Sequence, residues 1–189
     1  METPDPAVNF IRGIASHPDL RASGVVRKVK KGGQAFLPGD EQTVFVVEQG
    51  LVKLCFTSPD GREWIRSFVS APGVFSHLYL QSEAENNTFS ADCLEDCTFI
   101  LYPYALLKQV GAHNPDLARV GFDLVQFYLL QRERRMRNML SLSAEEAYKD
   151  FLTEHPNVAG RVTQADTSRY LGITPVALSR IRQRMAPDV

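Results

Sequence analysis

From Val25 onward the chain alternates short apolar runs with turn residues. Val25–Val29 is followed by Lys31-Gly32-Gly33, Gln34–Leu37 by Pro38-Gly39-Asp40, and Thr43–Glu48 by Gln49-Gly50. Leu51–Thr57 then meets Ser58-Pro59-Asp60-Gly61, a tight-hairpin signature, before Glu63–Val69. Pro72-Gly73 turns the chain again, and Thr88–Ala91 and Cys97–Tyr102 complete the section. Each run is short and rich in β-branched and aromatic residues, so each reads as a strand. No segment between them is long enough for a helical crossover, and the pattern predicts an antiparallel β-barrel or jelly roll. A short helix over Ala7–Ala15, with Phe10, Ile11 and Ile14 on one side, precedes it and stops at His17-Pro18.

The period changes at Tyr104. Tyr104–Val110 reads as a short helix, and Asn114-Pro115 opens a long one that runs to Leu140. Its apolar residues fall on two stripes. Leu117, Val120, Leu124, Phe127 and then Gln131 follow the three-four spacing of a coiled-coil seam, which is expected to face a second copy of the chain. Val125, Leu129, Met136 and Leu140 lie on the other face, expected to pack back on the barrel or on the tail. Burial on two sides in a chain of 189 residues favours a homodimer over a helix enclosed in one monomer. Ser141-Leu142-Ser143 is a hinge. Ser143 and Glu146 form a capping box for a helix from Ala144 to Glu154, which His155-Pro156-Asn157 ends.

The stretch TQADTSRYLGITPVALSRIRQR, Thr163 to Arg184, reads as two helices joined by a tight turn. Thr163 is an N-cap with Asp166 in the capping-box position. Ala165, Ser168 and Leu171 give the first helix a small-to-apolar inner face. Gly172 stops it, and Thr174-Pro175 restarts the chain with a hydroxyl cap and a proline at the first helical position. Leu178 and Ile181 lie on a buried side, while Ser179, Arg180, Gln183 and Arg184 point elsewhere. This predicts a helix-turn-helix whose second helix enters a DNA major groove.

The formal net charge of -1 hides a partition. Between Arg66 and Lys108 there is no Lys or Arg, while Glu83, Glu85, Asp92, Glu95 and Asp96 all fall there. The rear half carries Arg132, Arg134, Arg135, Arg137, Arg161, Arg169, Arg180, Arg182 and Arg184. An acidic front and a basic rear fit a sensor joined to a polyanion binder. No apolar run is long enough to span a bilayer and METPDPAVNF lacks a signal-peptide pattern, so a cytoplasmic protein without membrane contact is expected. Cys55, Cys93 and Cys97 read as reduced and buried; the scattered His17, His77, His113 and His155 offer no pair at metal-ligand spacing.

A β-barrel, a long helix and a small helix-turn-helix together resemble the layout of the Crp/Fnr family of bacterial transcription regulators. Pro38-Gly39-Asp40, the run VFVVEQGLVKLCFTSPDGRE and the later PGVF are similar to its cyclic-nucleotide-binding-type barrel, and YLGITPVALSRIRQ to its recognition motif. SLSAEEAYKDFL before that motif resembles a branch in which it stands almost at the C-terminus. The resemblance runs from Val25 to Arg184. It implies an α+β chain with a β-barrel sensor domain over 1–112, a dimerisation helix over 113–142 and a helix-turn-helix domain over 143–189. The implied partners are double-stranded DNA and a second copy of the chain. The implied DNA face comprises Thr163, Gln164, Arg169, Thr174, Val176, Ala177, Ser179, Arg180, Gln183 and Arg184. Arg180 keeps the position from which the family reaches guanine, and its fork suits that contact. Val176 stands where relatives often carry a Glu that accepts from cytosine, and Thr167 where they tend to have an aliphatic residue. With few residues after Arg184, no β-wing is expected.

Family members that hold cyclic AMP use a Gly-Glu pair and a later Arg-Ser. Here the Gly-Glu positions read His77-Leu78, and the Arg position falls on Asn87 or Thr88. A degenerate effector pocket is expected around Phe75, Ser76, His77, Leu78, Asn87 and Thr88. A cyclic phosphate needs a guanidinium and converging N–H donors to offset its desolvation, whereas this loop has no cation and adds Glu83 and Glu85. A cassette rebuilt from Arg62 or Arg66 is the alternative. The cysteine set of the family's iron–sulfur sensors is missing and nothing marks a haem ligand, so no cofactor is expected; the remaining effector class is an unidentified small molecule. The expected function is therefore a homodimeric, sequence-specific DNA-binding regulator and not an enzyme. The alternative is a sensor or interaction module that keeps the fold without binding DNA, which the basic recognition helix argues against. A cupin-like enzyme would need clustered His and Glu ligands, and His77 is the only histidine in the barrel section.

Cyclic AMP or cyclic GMP at millimolar concentration should leave the melting temperature unchanged, since binding to the folded state would add about 2.7 kcal/mol at a hundredfold excess over Kd. An upward shift abolished by Arg62→Ala or Arg66→Ala would show a phosphate site rebuilt on the preceding strand.

Overall fold

A computed structural model describes residues 5–36, 42–76 and 88–185. Helix α1 (Pro6–Ser16) is capped by Asp5, whose carboxylate accepts the Ala7 N–H at 2.8 Å. A second helix, α2 (Pro18–Ser23), follows at once. His17-Pro18 is thus a joint between helices, because proline at the first helical position forfeits no hydrogen bond.

Seven strands come next: β1 (Val25–Val29), β2 (Thr43–Gln49), β3 (Leu51–Thr57), β4 (Glu63–Ser70), β5 (Gly73–Ser76), β6 (Thr88–Cys93) and β7 (Cys97–Pro103). They form two antiparallel sheets, one in the order β1-β7-β2-β5 and one in the order β4-β3-β6. The expected α+β class holds, with a two-sheet sandwich rather than a closed barrel among the described residues. The run at Gln34–Leu37 forms no strand in its described part: Gln34 makes one isolated bridge to Asp92, and Ala35 and Phe36 turn into the core. Conversely β5 lies where the sequence suggested only a turn, and pairs Val44–Val47 with Gly73–Ser76.

The two sheets enclose Phe45, Val47, Val52, Leu54, Phe75, Ala91, Phe99 and Leu101. Phe45 stacks on Phe75 with centroids 4.8 Å apart, and Phe99 meets both edge-on at 6.0 Å. Each such pair adds about 0.5–1.5 kcal/mol beyond the area it buries. Phe75, expected to line an effector pocket, therefore belongs to the core. Cys55, Cys93 and Cys97 are buried and unpaired, as expected. Gly50, at φ +98, turns β2 into β3, and a Cβ there would lie 2.5 Å from Cys97 Sγ.

Helix α3 (Tyr104–His113) leads to α4 (Pro115–Ser141), capped by Asn114. The stripe expected to meet a second copy is instead covered by the chain itself. Leu117 and Leu124 are each 5% exposed, in a core with Ala7, Ile14, Val44, Val46 and Val74. Val120 packs there too, and α1 comes close because a Cβ at Gly13 would already meet Val120 and Leu117 at 3.0 and 3.3 Å. Phe127 is half-buried beside Tyr128, and Gln131 is exposed. Tyr128 donates its hydroxyl to the Val74 carbonyl at 2.6 Å, and burial pushes its pKa up to about 12. The stripe expected to pack inward is the open one: Val125 is 58% exposed, Leu129 55%, Met136 53% and Leu140 83%. The two faces are exchanged because spacing marks both stripes alike and only the position of α1 decides which is covered.

Helices α5 (Ala144–Glu154), α6 (Pro156–Ala159), α7 (Gln164–Leu171) and α8 (Pro175–Met185) follow. Both halves of the Ser143–Glu146 capping box form. Pro156 begins the short α6, where the sequence suggested only a helix stop. Among the described residues no helix is long and apolar enough to cross a membrane.

Candidate nucleic-acid interface

Local chemistry shapes the two-helix motif. Thr163 Oγ1 accepts the Asp166 N–H at 3.0 Å and donates to Asp166 Oδ2 at 2.6 Å. Gly172 takes the left-handed conformation (φ 70, ψ 25) that ends α7. Thr174 Oγ1 accepts the Ala177 N–H at 3.1 Å and opens α8, which buries Leu178 and Ile181. The inner face of α7 differs from expectation. Asp166, Thr167 and Ser168 are buried, while Ala165 is exposed. Each buried polar group has a partner: Thr167 donates to the Thr163 carbonyl at 3.0 Å, and Ser168 to the Ala165 carbonyl at 2.9 Å. Asp166, besides its bonds to Thr163, lies 3.5 Å from the Lys53 ammonium.

On α8, Val176, Ser179, Arg180, Arg182, Gln183 and Arg184 are exposed. At about 100° per residue, Val176, Ser179, Arg180 and Gln183 form the ridge opposite Leu178 and Ile181, with Arg182 and Arg184 on its two flanks. Arg184 pairs with Glu145 at 3.1 Å; hydrogen bonds from Lys149 and Arg184 hold the Glu145 carboxyl below its usual range. Arg184 is exposed and Glu145 partly so, which leaves the pair solvent-screened and weak enough to yield to a phosphate. Arg180 and Arg182 make no salt bridge among the described residues. Thr163, Gln164 and Thr174 are exposed at the helix starts, and Ala177 is half-buried. Arg169 is exposed but turned toward the sheet, 3.5 Å from Glu63 and 3.9 Å from Asp166.

The motif is seated on the β4-β3-β6 sheet by contacts the sequence did not predict. Lys53 on β3 lies 2.8 Å from Glu63, 3.5 Å from Asp166 and 3.9 Å from Asp92. Burial pulls the Lys53 pKa down, but the Glu63 hydrogen bond and the surrounding negative charge outweigh it and leave the pKa raised. Cys55, Glu63 and Asp92 bring their ligand atoms within 4.8 Å of one another. The cation among these carboxylates is the Lys53 ammonium, and burial pushes the Cys55 thiol up to about 12, where it is a poor metal ligand. Arg161 grips Glu95 through two nitrogens at 2.8 and 2.6 Å. Arg135 of α4 donates to the carbonyls of Ile65, Arg66 and Tyr170, and its guanidinium lies 4.2 Å from the Tyr170 ring centroid. In sequence, Arg135 is one arginine in RERRMR with nothing to mark it.

A cleft of about 260 Å³ lies where α4, α5 and the turn of the motif meet, and His155 and Tyr170 form part of its wall. His155 Nε2 is 3.1 Å from the Tyr170 hydroxyl. Of the expected effector pocket, His77, Leu78 and Asn87 lie outside the described residues. Ser76 ends β5, and Thr88 starts β6 opposite Thr57.

No protein-family model matches the chain. It is 24% identical over 179 residues to a probable transcriptional activator of Rhizobium leguminosarum bv. viciae, covering 88% of this chain and 73% of that protein. It is 26% identical over 185 residues to the nitrogen fixation regulation protein FixK of Azorhizobium caulinodans, covering 93% and 69%. The solved structure of FixK2 from Bradyrhizobium japonicum superposes with a TM-score of 0.71 at 23% identity, over 86% of this chain and 84% of that one. These matches agree with the resemblance drawn from the motifs: in fold and layout the chain is of the Crp/Fnr type. The two curated relatives that match about nine-tenths of the chain are named as regulators, while patatin-like phospholipase domain-containing protein 6 of Pongo abelii is 29% identical over 133 residues, covering 64% of this chain and 10% of that protein.

Burial holds the His155 imidazole below its ordinary pKa; Glu154 and Asp150 pull it up, Arg135 and Arg134 push it down, and the net shift is downward. Unfolded His155 takes up a proton near pH 6.5, whereas the folded residue resists, so stability must fall as pH drops below about 6.5. Denaturation curves between about pH 7 and pH 5.5 should show that loss in the wild type and a flatter profile in His155→Gln. An unchanged slope in the variant would place the acid sensitivity elsewhere.

Proposed function

We propose that the chain is a sequence-specific DNA-binding transcription regulator that acts as a homodimer and does not take cyclic AMP as its effector. The observation that carries this reading is the ridge of α8: Val176, Ser179, Arg180 and Gln183 are exposed along one face, opposite the buried Leu178 and Ile181. A helix presented in this way can enter a major groove with its N-terminal half against base edges while flanking arginines meet phosphates. The domain division at 112/113 and 142/143 fits the same assignment, with α4 joining a sandwich sensor to the DNA-binding motif.

The dimer interface that best fits is the open stripe of α4, not the covered one. Phe122, Val125, Leu129, Met136 and Met139 are 53–67% exposed, and with Arg132 they keep alternating spacings of three and four. That is a coiled-coil seam on a helix about 40 Å long. Apolar surface so continuous on a monomer marks an interaction site. Against a cyclic nucleotide stand the cation-free segment between Arg66 and Lys108 and a sandwich interior filled by phenylalanine rings. Arg62 and Arg66, the alternative phosphate ligands, lie over the rings of Trp64 and Phe89 at 5.9 and 5.7 Å.

Arg180→Ala should lose discrimination at one base pair per half-site, by about 1–3 kcal/mol, in titrations of operator variants. Arg182→Ala should weaken binding to all sequences alike and lower the salt slope by about one phosphate contact. If the two substitutions behave identically, the helix meets DNA by another face.

Leu129→Asp should convert the dimer to a monomer in light scattering, since it would bury an unpaired carboxylate in the seam. Operator affinity should fall with it, because paired half-sites about 34 Å apart need both recognition helices. A dimer that persists would move the interface off this stripe.

A further inference from the structure

Val176 is the apolar member of the α8 ridge. It sits in the first turn of the helix, 62% exposed, with no place in any of the hydrophobic clusters. Its neighbours on the ridge are polar or charged, and Arg180 stands one turn further on with no salt bridge among the described residues. Resting on the DNA-binding reading above, we infer that Val176 is a specificity residue that reads the C5-methyl group of a thymine close to the base contacted by Arg180.

The argument is one of matching surfaces. A branched hydrocarbon has no donor or acceptor to offer a base edge, so against most major-groove groups it strips water and returns nothing. The thymine methyl is the apolar feature of that groove. Cytosine presents an amino donor in the same region, and Val176 would leave it unsatisfied. The side chain therefore favours thymine and rejects the base that a carboxylate at this position would choose. Four residues of helix advance about 6 Å, and stacked bases lie about 3.4 Å apart, so the thymine falls within about two base pairs of the Arg180 contact. Thr174 fixes the presentation, because its cap on the Ala177 N–H sets the start of the helix on which Val176 rides.

The test begins with selection of bound duplexes from a random pool, which identifies the half-site. Each thymine in it is then replaced by uracil, which deletes one methyl group and keeps every hydrogen bond. The expected result is a thymine near the Arg180-dependent guanine whose replacement weakens wild-type binding about fourfold, the worth of one buried methyl-sized group. Val176→Ala should bind thymine and uracil duplexes nearly alike, and 5-methylcytosine should restore part of the affinity lost when cytosine occupies that position. Val176→Glu should shift the preference toward cytosine. A selected half-site in which no thymine-to-uracil change matters, or an effect that survives in Val176→Ala, overturns the assignment while leaving DNA binding intact. A pool that shows no enrichment at all overturns the DNA-binding reading, and the inference with it.

Discussion

The arrangement of the molecule depends on one partly buried cation. Arg135 extends from the C-terminal third of the long helix and gives hydrogen bonds to Ile65 and Arg66 on β4 and to Tyr170 on α7. Two of the acceptors lie where regular pairing is interrupted. The β3–β4 register slips at Arg66, between the Leu54–Ser67 and Cys55–Ile65 pairs, and a bulge interrupts the ladder at such a point. Tyr170 stands in the last turn of α7, where helix carbonyls lack intrahelical donors. Burial lowers the Arg135 pKa from its ordinary value, with Tyr170 acting against that, yet a guanidinium stays charged over any accessible pH. The ring of Tyr170 beneath it supplies the remaining stabilisation. Sheet, long helix and helix-turn-helix thus meet at a single side chain.

Around that point the contacts are divided by kind. An aromatic cluster of Phe68, Phe151, Tyr170 and His155 fills the space between β4, α5 and α7, with ring centroids 5.4–6.3 Å apart. Outside it lies a charged ring in which Lys53 faces Glu63, Asp92 and Asp166, and Arg161 faces Glu95. The apolar contacts supply the cohesion and the charges supply the register. Lys53 shows why: its side chain is 12% exposed, and removing one partner would leave a charge partly out of water.

How much of this was legible in sequence follows from the range of each signal. The helix-turn-helix was readable almost residue by residue, because Thr163, Gly172, Thr174 and Pro175 act within four residues of themselves. Strands bounded by Gly and Pro turns were readable for the same reason, and β5 was missed because four residues leave no alternation to detect. The inner face of α7 was misread at Asp166, since a carboxylate is buried only where a distant cation such as Lys53 meets it. The two stripes of α4 were found, yet their roles were exchanged. Nothing within the helix records that α1, a hundred residues earlier, lies along Leu117, Val120 and Leu124. Ser179, Arg180 and Gln183 were legible as exposed, whereas Val176 entered only through the family resemblance; the role of Arg135 was not legible, because backbone carbonyls at a bulge leave no trace in composition.

The exchange of faces has a mechanical consequence. With α1 and the β1-β7-β2-β5 sheet packed on one side of α4, the first four turns of the helix are restrained by apolar contacts, while the neighbouring stripe of Phe122, Val125 and Leu129 is open. The end beyond Arg135 has fewer apolar restraints. Around that residue, Arg134 pairs with Asp150 at 2.9 Å and Asn138 donates to the same carboxylate at 2.8 Å, tying α4 to α5 by polar contacts. Polar contacts are directional and are replaceable by water, whereas the packed half is not. Arg135 rides on α4 itself, so a displacement of β4 or α7 relative to the long helix breaks its hydrogen bonds and leaves a partly buried cation short of acceptors. The sheet, the long helix and the helix-turn-helix are therefore held in one arrangement at that side chain.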